Sequence, residues 1–153
     1  MTYENKSKSE IIDQNPPIPA NELERLIALG EFDLDYLDLD NSFSDLTKLA
    51  AKVAGTSISL INLIDSFTQW SVSSYGIDIK QMPREESVCQ YTILEENRKG
   101  FEVQDLTNDD RFKERSYVVG SPNLKYYFGI PLIVDNGVSL GALCVLHDDY
   151  KNL

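Results

Sequence analysis

The strongest constraint on this chain is a pair of apolar segments wrapped around an Asn-Gly turn. Residues 126–134 and 138–146 flank Asp135-Asn136-Gly137. Asn-Gly between apolar runs is a strong hairpin signal, because a type I′ turn needs positive φ at both central residues. Pro131 inside the first run marks a bulge or an unpaired position, since proline donates no ladder hydrogen bond. A second hairpin is predicted upstream. Residues 57–64 are apolar on both parities, as in a strand buried on both faces. A turn follows over 65–68, and 69–75 then alternate, with Trp70 and Val72 on one side and Gln69, Ser71 and Ser73 on the other. The polar side of that strand is expected to face water. Hairpins imply an antiparallel sheet.

The remaining periodicity is helical. Leu23, Leu26, Ile27 and Leu29 space as a helix over 21–29, with Gly30 as its stop. Ser42-Phe43-Ser44-Asp45 resembles a capping box opening a helix over 43–54, with Phe43, Leu46, Leu49, Ala50 and Val53 on one face and Gly55 closing it. Between them, Asp33, Asp35, Asp38 and Asp40 alternate with Leu34, Leu37 and Leu39 and read as a connector with solvated carboxylates. An EF-hand would need Gly and Glu where Asp38 and Ser44 stand. A helix over 87–97, a short strand carrying Phe101, Val103 and Asp105, and a short helix opened by Thr107-Asn108-Asp109-Asp110 with Phe112 inward complete the pattern. The class is α+β, a central antiparallel sheet with helices on both faces. The helices at 21–29 and 43–54 are expected on one face. The helix at 87–97 and the stretch 107–122 are expected on the other. Residues 1–19 are polar, end in Pro16-Pro17-Ile18-Pro19 and read as a flexible tail or linker, leaving 20–153 as one domain.

Composition narrows the function. The chain has 153 residues, the length of one domain. Its 14 basic and 25 acidic residues give a net charge of −11. That balance argues against nucleic acid, which is bound by neutralising phosphates, and against anionic membrane surfaces. No apolar run reaches the roughly 20 residues of a membrane span, and the N-terminus lacks a signal-peptide layout, so a cytoplasmic location is expected. The two cysteines, Cys89 and Cys144, have no CxxC partner, and His147 is the single histidine. No zinc set follows, and both cysteines are expected as thiols. Phosphate-binding glycine loops and the G-x-S-x-G elbow are absent. No catalytic residue and no metal ligand is assigned.

Several blocks, taken in order, resemble the GAF domain, a fold related to PAS. They are Asn21-Glu22-Leu23-Glu24-Arg25-Leu26, Asp45 to Ala51, Ser59-Leu60-Ile61, Gln69-Trp70 and Pro83-Arg84-Glu85-Glu86-Ser87-Val88-Cys89. Asp105 with Asp110-Arg111-Phe112, Tyr126 to Leu132, and Leu140 to Val145 follow. The resemblance is to the type found in bacterial sensor histidine kinases and cyclic-di-GMP signalling proteins. It implies a cytosolic sensor or interaction module, not an enzyme, that binds a small ligand or a partner and biases an attached or associated output, such as a kinase or cyclase domain. It also implies a homodimer, for which the stripe Leu23, Leu26 and Ile27 is the expected contact. Gln90-Tyr91 stands where the family often has a histidine, so a covalent bilin is not expected, and no resident cofactor is assigned. The chain ends at Leu153, where the family's C-terminal helix would start, so that helix is expected to be missing.

Within this resemblance Trp70, Tyr91, Phe112, Tyr126, Tyr127 and Phe128 surround one face of the sheet. Asn62, Ser87, Asp105 and Arg111 are the polar groups of a ligand site there. The expected ligand-binding set is Asn62, Trp70, Cys89, Tyr91, Asp105, Arg111, Phe112, Tyr126 and Phe128. Trp70 is expected near Phe112 and one of Tyr126 or Tyr127. Alternatively, the aromatics fill a closed core, and Arg111 with Asp105 forms a structural ion pair. Cys89, at a helix start near Arg84, reads either as a redox-sensing thiol or as a small residue packed at the helix–sheet seam. Cys144 reads as core, and its separation from Cys89 is not fixed by the sequence. His147, beside Asp148 and Asp149, reads as a solvated strand end. Two further functions therefore stay open, a thiol redox switch through Cys89 and a ligand-free structural dimerisation domain.

Overall fold

The computed structural model describes residues 16–32, 36–95, 99–151 and 153. The expected tail before Pro16, the connector positions 33–35 and the last two positions of the expected 87–97 helix lie outside them. The elements are α1 (Glu22–Glu31), α2 (Tyr36–Ala54), β1 (Ile58–Ile64), β2 (Thr68–Tyr75), β3 (Gln81–Pro83), α3 (Cys89–Thr92), β4 (Phe101–Val103), α4 (Ser116–Val119), β5 (Tyr126–Ile133) and β6 (Ser139–His147). Short 3-10 turns cover Arg84–Glu86 and Leu106–Asn108. The strands form one six-stranded sheet in the order β3-β2-β1-β6-β5-β4. Every neighbouring pair is antiparallel. Both hairpins and the α+β class follow the expectation.

The sheet is covered on both faces. Ala28 and Leu29 of α1 pack on Ile61, Leu63, Val72, Val138 and Leu140, with Phe43 of α2 against them. On the other face Ile58, Leu60 and Ile64 meet Val88, Cys89, Ile93, Leu106, Phe112 and Leu124. β1 is buried along its whole length, which explains its unbroken apolar character. Its pairing with β6 leaves no room at Gly141, where a Cβ would lie 1.9 Å from the Asn62 carbonyl oxygen. Gly141→Ala is therefore expected to force the central strands apart and cost about 1–3 kcal/mol. A urea midpoint equal to that of the parent chain would contradict this tight approach.

Three local readings are corrected. The first is the last hairpin, where only Gly137 of the turn takes positive φ, at 84°. Gly137 N–H donates to Val134 O at 2.8 Å and Val134 N–H to Val138 O at 3.0 Å. This is the three-residue loop, a type I turn followed by a left-handed glycine, rather than type I′. The second is α2, which begins at Tyr36, so Ser42-Phe43-Ser44-Asp45 lies inside it and the expected connector shortens. Leu39, Phe43, Leu46 and Ala50 continue one helical spacing, which the acidic alternation had masked. The third is the expected helix over 87–97, reduced to Cys89–Thr92. Ile93 then turns into the core at 5% exposure while Leu94 reaches solvent.

The second helix turns a different stripe to the sheet from the one expected. In α2 the buried positions among residues 41–54 are Thr47 and Ala51, and Thr47 Oγ1 lies 3.2 Å from Ser73 Oγ on β2. Small residues let the helix approach the sheet closely, and Leu46, Leu49 and Val53 point outward. In α1 the fully buried residue is Arg25, whose guanidinium donates to Ile64 O at 2.5 Å and to Glu22. Arg84 donates to both oxygens of the same Glu22 carboxylate, at 2.6 and 3.1 Å. Of the expected dimer-contact residues, Leu23 and Ile27 are exposed and Leu26 is half-buried. Among the described residues no helix is long and apolar enough to cross a membrane.

Candidate functional site

A bulge in the first hairpin places the site. Across β1, Ile61 pairs with Ser73 and Asn62 with Ser71, so Val72 is the extra residue. Two residues opposing one shift the side-chain parity of β2. Ser73 turns with Val72 toward the helices, while Ser71 and Gln69 stay on the opposite face. That face is not solvent. It is closed by the segment 77–91, so the polar side of β2 lies inside the protein: Gln69 is 3% exposed.

Between sheet and segment lies a cavity of about 60 Å³. Its floor is Leu60, Asn62, Gln69, Cys144 and Tyr127, and its outer wall includes Ile77, Ile79 and Met82, all half-buried. Among the described residues no Lys, Arg or His lines it. The polar atoms gather at one end. Asn62 Nδ2 donates to Cys89 Sγ at 3.4 Å and lies 3.7 Å from Cys144 Sγ. Its Oδ1 accepts from Ser71 Oγ at 2.7 Å, which fixes the amide. Tyr127 OH is 3.1 Å from Cys89 Sγ and 2.6 Å from Thr92 Oγ1. The two cysteine sulfurs are 3.8 Å apart. Gln69 Oε1 is buried with no hydrogen-bond partner among the described residues.

This arrangement separates the two thiols. The hydrogen bond with Cys144 lowers the Cys89 pKa; burial opposes this, and the bonds from Tyr127 and Asn62 add to the lowering. Cys144 is pushed well up, by its bond to Cys89 and then by burial. Tyr127 is also pushed well up, chiefly by burial, so it stays a proton donor. Arg84 does not serve the Cys89 thiol. α3 is a single turn, and Arg84 is committed to Glu22 and the Asp65 carbonyl.

Of the expected ligand-binding residues, only Asn62 and Cys89 line this cavity. Tyr91 and Phe112 stand beside it, in edge contact at 5.4 Å, with Phe101 stacked on Tyr91 at 6.1 Å. The Arg111 guanidinium lies 4.9 Å over Tyr91 and chelates Asp109, not Asp105, at 2.9 and 2.7 Å. Asp105 instead caps the Leu106–Asn108 turn through the Thr107 N–H. Trp70 lies on the opposite face, with Leu26, Leu29 and Phe32, because it pairs with Leu63. Tyr126 and Phe128 also leave the site. Tyr126 OH donates to Glu102 at 2.6 Å, and Phe128 sits by Ala50, Val53 and Leu143 under α2. Tyr127 takes the place expected of Tyr126. Ser87 accepts from Gln90 N–H and donates to Arg84 O, and His147 Nδ1 accepts the Ser57 N–H at 3.0 Å. The missed residues are Gln69, Tyr127 and Cys144. Parity flags Tyr127, since it must oppose Phe128, but nothing local shows which face is hollow.

No family model matches the sequence. The chain is 38% identical over 131 residues to a cyclic di-GMP phosphodiesterase from Pseudomonas aeruginosa, covering 86% of this chain and 22% of that protein. In structure it is similar to the GAF domain of an Acinetobacter phosphoenolpyruvate-protein phosphotransferase. That match has a TM-score of 0.57, 14% identity, and covers 85% of this chain and 78% of the other. The chain has the GAF fold. A type II free methionine-R-sulfoxide reductase from Thermoplasma acidophilum shares this GAF fold, with a TM-score of 0.61 at 8% identity over 77% of this chain and 80% of that one. These names correct the expectation that the chain is not an enzyme: its relative in sequence is named a phosphodiesterase, and a neighbour in fold a reductase.

Proposed function

We propose that the chain is a GAF-type sensor domain of a cyclic-di-GMP signalling protein. It binds a small neutral ligand in the cavity under 77–91 and biases an attached or associated output. The sequence likeness to a cyclic di-GMP phosphodiesterase supports the signalling context. The observation that supports a ligand is the cavity itself, with Gln69 in its wall and Gln69 Oε1 without a hydrogen-bond partner among the described residues. A buried acceptor left unpaired costs about 1–3 kcal/mol, so a group that donates a hydrogen bond there is favoured. The absence of a cation in the lining disfavours anions. A volume of about 60 Å³ admits a ligand of a few heavy atoms, compared with roughly 150 Å³ for a cavity that holds benzene.

Methanol is a suitable probe, being neutral, small and a donor. In titrations followed by NMR, the Gln69 side-chain amide and the Ile58 and Leu60 methyls should shift saturably. Ile79→Phe, which fills the cavity from its outer wall, should abolish the response without unfolding the chain. Linear shifts with no saturation, and a long-lived water on Gln69, would instead favour a ligand-free structural domain.

A further inference from the structure

We propose that Cys89 and Cys144 form a two-thiol redox site that hydrogen peroxide oxidises to an intramolecular disulfide. The inference rests on the cavity reading above and gives that cavity a chemical input. The sulfurs come from a one-turn helix and a central strand, far apart in sequence, yet lie 3.8 Å apart. Both line the cavity. Cys89 Sγ accepts from the Asn62 amide and lies within hydrogen-bond reach of the Tyr127 hydroxyl, groups that can stabilise a buried thiolate, and Cys144 Sγ is beside it. Peroxide is neutral and has two heavy atoms. Larger hydroperoxides do not fit a space of about 60 Å³.

The Cys89 thiolate attacks one peroxide oxygen and the O–O bond breaks. The departing hydroxide takes up the proton that Cys89 gave up on forming its thiolate and leaves as water, and Cys89 becomes a sulfenic acid. The Cys144 sulfur then attacks the Cys89 sulfur, the S–O bond breaks, and the hydroxyl leaves as a second water with the Cys144 proton. Peroxide gains two electrons, and each sulfur gives up one. Closure brings the sulfurs from 3.8 Å to the roughly 2.05 Å of a disulfide.

The test treats the reduced full chain with hydrogen peroxide, then denatures and alkylates it before intact-mass and peptide analysis. The expected result is a mass loss of about 2 Da, with both cysteines protected and their peptides cross-linked. Cys144→Ser should stop at the sulfenic acid, trapped by dimedone on Cys89. In Cys89→Ser, oxidation of Cys144 should be slower by about tenfold or more. Free thiols after treatment, oxidation of both cysteines to sulfenic or higher acids without a cross-link, or cross-links only between chains would overturn the proposal, and all of these are read on the parent chain without any variant. Because mass and methanol binding are separate readouts, no disulfide with saturable Gln69 shifts removes the thiol pair alone. Loss of both removes the sensing reading as well.

Discussion

Glu22→Gln should destabilise the chain by about 2–3 kcal/mol, less than the ~3–5 kcal/mol of a fully buried ion pair because the Glu22 carboxylate keeps some contact with water. Arg25 is fully buried and Arg84 nearly so, and Glu22 is the carboxylate that both contact. Without its charge, two guanidinium groups stay desolvated with carbonyl oxygens in place of an anion. The contact also ties α1 to the turn that leads into α3. A pH dependence accompanies it. Burial raises the Glu22 pKa, but the bonds and charges of Arg84 and Arg25 outweigh this and bring it from 4.5 to about 2. A depressed carboxyl pKa gives stability that is fully present above the unfolded value and is lost as pH falls through the folded one. The parent chain should therefore lose this contribution between about pH 5 and pH 2. Glu22→Gln should show a flatter stability curve across that window. Urea unfolding at several pH values checks both statements, and parallel curves for the two proteins would contradict them.

Phe112→Ala should cost about 3–5 kcal/mol, whereas Phe128→Ala should cost less than about half of that. Phe112 is 1% exposed in the core beside the cavity and holds the edge of Tyr91. Phe128 is half-buried on the other face of the sheet, under α2, where water can refill part of the space it leaves. Only Phe112→Ala should disturb the cavity side, by freeing Tyr91 and the Arg111 guanidinium stacked on both rings. Denaturant midpoints order the two variants, and methanol-shift titrations locate the damage. Equal losses would mean that Phe128 carries more of the core than its exposure allows.

The contrast between these two phenylalanines shows where sequence reading stops. Both lie in aromatic blocks of similar appearance. What separates them is which side of the sheet each strand turns toward the hollow, and period-2 alternation gives relative sides only. Tyr127 and Tyr126 were bound to oppose each other. The choice between them rests on Tyr127 pairing with Leu146, which lines the cavity. In β2 even relative parity breaks, because the bulge at Val72 carries Ser73 to the helix face. Polar Gln69 and Ser71 looked solvent-facing for the same reason: sequence does not show that a loop folds over them.

The sequence by itself determined the antiparallel hairpins, the α+β class and the cover on both faces. Those follow from turn chemistry, alternation and helical spacing, all of which act over a few residues. Tertiary structure alone decided which stripe of α2 faces the sheet, because close approach favours Thr47 and Ala51 over Leu46, Leu49 and Val53. It alone decided that Arg111 takes Asp109 and that Glu22 unites two arginines 59 positions apart, Arg25 and Arg84. It alone brought Cys89 to Cys144, since a one-turn helix packed on β6 sets that distance and no local pattern records it.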